Sequence, residues 1–363
     1  MKLFGRKSGR DASRPALARG ASGGAIGEWP TSYEAQVRSG YAANPVAQRA
    51  VRLVAESVGW APLTASDPAL ATLVTARSGG QALLEVVAAQ LLLHGNAYVQ
   101  LIGDGQGGVG ELYALRPERV TIEADASGWP VAFRYRVGER AVRLSVEEVV
   151  HLKAFHPLDD HYGLGCLGAA AGAVAIHNAA TRWNKALLDN AARPSGALVY
   201  EPGDGAALSA EQFDRLRAEM DAGFAGAANA GRPMLLEGGL KWQAMSLTPA
   251  DMDFVGLKAA AAREIALAFG VPPMLLGLPG DATYANYREA NRALWRLAVL
   301  PLAGTILSGL GQGLRPWFAD AAVAVDVDKV PALAEDRASA WASVTAADFL
   351  SVEEKRAMLG IGA

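Results

Sequence analysis

The chain has 363 residues, 51% of them hydrophobic and 20% charged, which excludes a disordered protein and exceeds what one core normally organises. Lys and Arg number 34 against 37 Asp and Glu, a formal net charge of -3. That balance argues against a surface built to grip nucleic acid by its phosphates, though not against one that touches nucleic acid without holding it. The single cysteine, Cys166, excludes an internal disulfide framework and a multi-cysteine zinc site.

The first residues carry Lys2, Arg6, Lys7, Arg10, Arg14 and Arg19 with no apolar run behind them. This is not the pattern of a secretory signal, and residues 1–28 read as a mobile basic arm rich in Gly, Ser and Ala. Helical spacing then begins at Asn44-Pro45, an N-cap followed by Pro at the first helical position, and predicts a helix over 44–60. A second helix is expected over 81–93, closed by Gly95. The period changes to two at Ala97. Strands are expected over 97–102, 111–115, 120–124, 131–137 and 149–153, separated by Gly and Pro clusters, as a small antiparallel β module.

A long helix is expected over 167–192, ended by Pro194. Residues 194–247 form an excursion: a strand at 197–200, a polar helix over 209–224 capped by Ser209, and a hairpin pairing 233–239 with 240–244. Thr248-Pro249 opens a second long helix that runs to Phe269, and 276–282 is a glycine-rich loop. A third long helix is expected over 284–310, kinked at Pro301, followed by a strand at 321–327 and a helical segment over 333–359. Residues 297–314 approach the length of a membrane span without a charge. They contain Pro301, Thr305, Ser308, Gln312 and four glycines, so a buried helix inside a large assembly is the better reading.

Candidate chemistry is sparse. No GxGxxG follows a strand and no Walker A motif is present. His151, His156, His161, Asp159 and Asp160 lie within eleven residues, and a metal-dependent hydrolase built on them is the alternative reading. Their spacing matches no zinc signature, and a polar turn leaving the β module accounts for them. Ser195 lacks the preceding glycine of a nucleophile elbow, and Cys166 has no His–acid pairing in sequence. The stretch from Tyr284 to Arg292 is aromatic, basic and amide-rich, as either a nucleic-acid contact or an amphipathic helix start would be.

Several stretches in fixed order resemble the HK97-type family of phage portal proteins. They are His94-Gly95-Asn96-Ala97-Tyr98, Leu115-Arg116-Pro117-Glu118-Arg119-Val120, His151-Leu152-Lys153 with Gly163-Leu164-Gly165, and residues 190–196. The run 234–301 adds Leu236-Glu237-Gly238-Gly239-Leu240-Lys241-Trp242, Arg263-Glu264-Ile265-Ala266, Phe269-Gly270-Val271-Pro272-Pro273 and Tyr284-Ala285-Asn286. Each is weak alone, and their order across residues 40–357 carries the resemblance.

The resemblance implies an α+β portal fold: a small antiparallel β wing module, paired long stem helices, an α/β clip insertion, a kinked helix and a helical crown. Mapped on this sequence, 1–28 is the arm, 29–165 the wing, 166–193 stem helix 1 and 194–247 the clip. Residues 248–271 are stem helix 2, 272–285 the tunnel-loop region, 286–332 the kinked wing helix with its strand, and 333–363 a reduced crown. It implies no active site, cofactor, metal or membrane association. It implies a homo-oligomeric ring, usually of twelve subunits, at a capsid vertex of a virion or virus-like particle assembled in the bacterial cytoplasm. The partners implied are the terminase large subunit, a head-tail adaptor, the major capsid protein and double-stranded DNA passing without sequence readout. A short crown fits a gene transfer agent particle. The tunnel loop and DNA-facing residues would be Leu278, Pro279, Gly280, Asp281, Ala282, Thr283, Tyr284 and Asn286. The docking clip would use Glu211, Arg215, Arg217, Glu219, Asn229 and Arg232, and subunit contacts Trp183, Trp242, Arg288 and Trp295.

Overall fold

A computed structural model of the chain describes residues 15–18, 32–189, 196–200, 209–224, 240–244, 254–278 and 283–360. In chain order the elements are α1 (Tyr33–Gln36), a π-helical turn (Val37–Ala42), α2 (Pro45–Gly59), β1 (Leu63–Ala65), α3 (Pro68–Val74), β2 (Arg77–Ser78), β3 (Gln81–Ala82) and α4 (Leu83–His94). Then come β4 (Asn96–Gly103), β5 (Val109–Leu115), β6 (Val120–Ala124), β7 (Pro130–Val137), β8 (Arg140–Ser145), β9 (Val149–Lys153), α5 (Cys166–Asp189), β10 (Gly196–Tyr200), α6 (Ala210–Phe224) and β11 (Leu240–Ala244). The chain ends with α7 (Phe254–Ala268), α8 (Tyr284–Leu294), a second π-helical turn (Trp295–Val299), α9 (Leu300–Leu314), β12 (Val323–Val325), α10 (Ala334–Ala346) and α11 (Val352–Met358). These form two compact units, one of residues 1–171 with 265–363 and one of residues 172–264.

In the larger unit, the Asn44 side chain accepts hydrogen bonds from the Val46 and Ala47 amides and so caps α2. Ala47, Ala50, Val51, Val54, Ala55 and Val58 of α2 are buried on one face, and the helix packs on α4. Two three-stranded antiparallel sheets follow, ordered β5-β4-β9 and β6-β7-β8. One core joins them: Tyr98, Leu115, Val120, Ile122, Phe133, Leu144 and Val149. β1 pairs with β12, tying the start of the unit to its end.

The run Ala285–Leu314 is a helix long and apolar enough to cross a membrane by length and composition. Its distal half is a core helix instead. Val299, Ala303, Ile306, Leu307, Leu310 and Leu314 are buried, and α9 packs against α4, β9 and β12. Five large side chains at about 2 kcal/mol each give about 10 kcal/mol of apolar burial, which decides for the core.

In the smaller unit, β10 and β11 are an antiparallel pair, with Gly196 opposite Ala244 and Tyr200 opposite Leu240. α6 opens with Ser209, whose hydroxyl accepts from the Gln212 amide while Gln212 Oε1 accepts from the Ser209 amide.

The structure departs from the sequence expectations in several places. β11 pairs with β10 rather than with 233–239, which lies outside the described residues. The expected N-cap at Thr248 lies outside them too. β8 was not anticipated, because Arg140 to Ser145 exposes nearly every side chain and only Leu144 reaches the core. The helical segment 333–359 is two helices, since Ser351 and Glu354 form a capping box that starts α11. The irregularity expected at Pro301 sits just before it, in the π-helical turn, and the helix continues to Leu314. Pro301 has no N–H for the Leu297 carbonyl and its ring crowds that turn, so a wider turn relieves it. Three residues of the expected free arm are docked. Leu17 N donates to Ser127 O at 2.9 Å, Trp129 Nε1 to Pro15 O at 2.8 Å, and Ala18 exchanges bonds with Asp160.

Candidate functional site

The glycine- and histidine-bearing motifs meet at one place. α4 ends at Gly95, whose φ of 80° is left-handed and whose amide donates to Leu91 O. A Cβ at Gly163 would overlap the Gly95 carbonyl oxygen, and one at Gly165 would stand 2.5 Å from Leu93 O. The 163–165 strand of backbone therefore lies directly on the α4–β4 turn, immediately before α5 begins.

Asn96, 1% exposed, ties this crossing. Its Oδ1 accepts from Gly163 N at 2.7 Å and from His151 Nε2 at 3.1 Å. Its Nδ2 donates to Gly163 O at 3.1 Å and to His94 Nδ1 at 3.1 Å. The Gly163 amide requires the oxygen on that side, so His151 carries its proton on Nε2 and His94 accepts on Nδ1. Tyr98 and His151 are cross-strand partners of β4 and β9, and their rings stack at 4.3 Å and 10°. Burial holds His151 neutral, with its pKa pushed down to about 3, and pushes His94 down as well.

The remaining histidines and aspartates of the cluster serve the loop locally. His156 Nδ1 accepts from Leu158 N, and Asp159 Oδ1 accepts from His161 N and Tyr162 N. His161 Nε2 donates to Gly128 O, and Asp160 holds Ala18. Among the described residues no three His, Cys, Asp or Glu side chains gather as a metal requires. The hydrolase alternative has no assembled centre there. Cys166 lies at the start of α5, but burial raises its thiol pKa, the opposite of what a reactive thiolate needs.

A second constellation lies on α8. Thr283 caps this helix, its hydroxyl accepting from Asn286 N at 3.2 Å. Arg288, Arg292 and Arg296 repeat every four residues and so share one face. Arg288 pairs with Glu335, Arg292 with Glu335 at 3.0 Å and Asp336 at 3.4 Å, and Arg296 with Asp336 at 2.6 Å. Glu335 and Asp336 occupy the first turn of α10, where the helix dipole favours carboxylates. α10 buries no residue of its own, and these pairs hold it together with Arg337, which pairs with Asp328 and donates to Leu359 O. The arginines of the 284–292 stretch face acids rather than open solvent, which favours the amphipathic helix start among the two readings of that stretch.

The other predicted positions are scattered. Leu278 is half-buried, and Thr283 and Asn286 are exposed at the start of α8. Pro279, Gly280, Asp281, Ala282, Asn229 and Arg232 lie outside the described residues, as do the side chains of Tyr284, Glu219 and Trp242. Glu211, Arg215 and Arg217 are exposed on α6, and Trp183 is exposed on α5. Trp295 is half-buried at the π-helical turn. Sequence reasoning missed Asn96 as a hub and the acids Glu335 and Asp336. The four-residue spacing of the arginines was visible; their partners more than forty residues away were not.

Residues 45–360 match the family model "Phage portal protein". A protein of Rickettsia felis is 39% identical over 345 residues, spanning 88% of this chain and 87% of its own length. A chain in the neck of a native gene transfer agent particle, solved with C12 symmetry, is 48% identical; the match covers 94% of this chain and 97% of that one, with a TM-score of 0.72. An HK97-family phage portal protein from Corynebacterium diphtheriae shares the fold at a TM-score of 0.61 and 21% identity, over 84% of this chain and all of that one. A family match over residues 45–360, together with the relative 39% identical over most of both chains, leads to one assignment: this chain belongs to the phage portal protein family.

Proposed function

We propose that the chain is the portal subunit of a gene transfer agent or phage-like particle. Twelve copies form a ring at one capsid vertex, and double-stranded DNA is packaged and released through its channel. The observation that carries this reading is the end-to-end similarity to a neck chain solved with twelvefold symmetry, at 48% identity. The chemistry supports it. A channel lining that held DNA by many cationic contacts would impede sliding, because each neutralised phosphate adds a salt-dependent hold. A net charge of -3 and an α8 arginine stripe paired with acids both keep that hold small.

On this reading the clip (194–247), with Glu211, Arg215 and Arg217 exposed on α6, docks the terminase large subunit and later a head-tail adaptor. The wing meets the major capsid protein, and 278–286 faces DNA. The mechanism requires no cofactor, because the motor that consumes energy is a separate protein.

The test is electron microscopy of the purified chain, with mass by light scattering. A ring with an axial hole wide enough for duplex DNA is expected, and a monomer both in solution and in particles would refute the reading. Deletion of residues 278–282 should leave rings intact and impair DNA packaging; loss of the ring would sink the tunnel-loop assignment.

A further inference from the structure

The β6–β7 turn and the loop after β9 each hold their own shape. In the turn, Asp125 Oδ1 accepts from Ser127 N at 2.8 Å and Trp129 N at 2.9 Å, and Asp125 N donates to Trp129 O at 2.9 Å. In the loop, Asp159 Oδ1 accepts from His161 N at 2.7 Å and Tyr162 N at 2.9 Å. Two bonds then fix the loop to the sheet. His161, 4% exposed, donates from Nε2 to Gly128 O, and the Tyr162 hydroxyl accepts from Ile122 N of β6 at 3.2 Å. None of these bonds involves residues 15–18.

The two pieces leave over Ser127 O and Asp160 Oδ2 as acceptors and Trp129 Nε1 and Asp160 N as donors. Pro15, Leu17 and Ala18 satisfy all four, and do so with main-chain groups. Trp129 Nε1 donates to Pro15 O at 2.8 Å and Leu17 N to Ser127 O at 2.9 Å. Ala18 N donates to Asp160 Oδ2 at 3.0 Å, and Asp160 N to Ala18 O at 3.1 Å. Leu17 is the one half-buried side chain of the segment. Gly128 has a φ of 85°, and a Cβ on it would overlap Leu17 O, so glycine is what lets the two backbones touch. Pro15 has a preset φ, which lowers the cost of ordering the segment. Main-chain capture by groups already in position is a recurring mode of peptide recognition, and preorganisation is what makes so few bonds sufficient.

We infer that Ser127, Gly128, Trp129 and Asp160 form a peptide-capture site whose occupant is this chain's own Pro15–Ala18. The site is separate from the Asn96 crossing and from the α8 ion pairs, and it uses neither the ring nor DNA. It ties to the larger unit a segment preceded in sequence by Lys2, Arg6, Lys7, Arg10 and Arg14, so the chain that carries these cations joins the body beside Trp129.

The test works on the full chain. Ala18→Pro deletes the N–H that Asp160 holds and leaves the receptor untouched. Asp160→Ala deletes the acceptor from the other side, at an exposed position. Trypsin cleavage after Arg19, read by mass spectrometry, reports release, because the protease takes the residues before the cut as free chain. Losing a charge-assisted bond should speed that cut at least about tenfold in each variant. The double variant should be no faster than the singles, since both remove one contact. Hydrogen exchange over 125–130 and 159–162 should stay at the parent's rate, because the site keeps its shape when empty. Equal cleavage in parent and variants would overturn the capture. Receptor exchange that quickens with release would overturn the preformed site. Protection of Arg19 in the parent that disappears on dilution would place a second copy's segment there and overturn the assigned occupant.

Discussion

Replacing Asn96 by Ala tests whether the polar crossing sets the stability of the larger unit. The side chain is 1% exposed and serves both backbone groups of Gly163, together with His94 and His151. A buried polar group left without a partner costs about 1–3 kcal/mol. Two such groups on Gly163 alone give about 4 kcal/mol, at the upper end of single substitutions. The assay is native-state hydrogen exchange read by mass spectrometry over residues 150–165, at fixed subunit concentration because assembly itself adds stability. A loss of about 4 kcal/mol appears as exchange roughly a thousandfold faster in that segment. Asn96→Asp keeps the acceptor for Gly163 N but loses the donor to Gly163 O, and it should fall between the parent and the alanine variant. A change under about tenfold for Asn96→Ala would refute the reasoning, because it would mean that water replaces the amide without penalty.

Further outcomes follow from the same geometry. His151 and His94 are held neutral by burial, with folded pKa values below the unfolded value near 6.5. A lowered histidine pKa means that the unfolded chain binds the proton first, so stability is fully present above about pH 6.5 and is lost as pH falls toward about 3. Urea midpoints measured between pH 8 and pH 4 should decline accordingly, and His151→Phe should flatten the decline. Glu335→Gln with Asp336→Asn should loosen α10 and α11 by about 2 kcal/mol, discounted for the half-exposed Glu335 and Arg296. Exchange over 334–360 should then quicken about thirtyfold. In the parent chain, raising salt toward 1 M should move exchange part of the way there, since the exposed members of the network are screened; salt-insensitive protection would count against an electrostatic anchor.

What the sequence by itself determined is what neighbouring residues decide. Asn44-Pro45 starts α2 because a side-chain acceptor and a preset φ act within one turn. Gly95 ends α4 because only glycine takes its φ of 80° freely. Alternation marked β4 through β7 and β9, and the order of short motifs marked the family. Tertiary structure alone decided which distant pieces meet. It brought His94-Gly95-Asn96, His151 and Gly163-Leu164-Gly165 to one crossing, which explains motifs that sequence could only tabulate. It turned four of the five residues that could have been metal ligands into separate loop fasteners and the fifth, His151, into a partner of Asn96, and it turned an arginine-rich stretch into one side of an ion-pair cluster. It paired β11 with β10 and β1 with β12. The physical reason is common to all of these. Caps, turns and periodicity are local free energies, whereas the partner of a buried amide, a charge or a strand edge is whatever the packed chain brings within hydrogen-bonding distance, and burial sets the cost of a missing one.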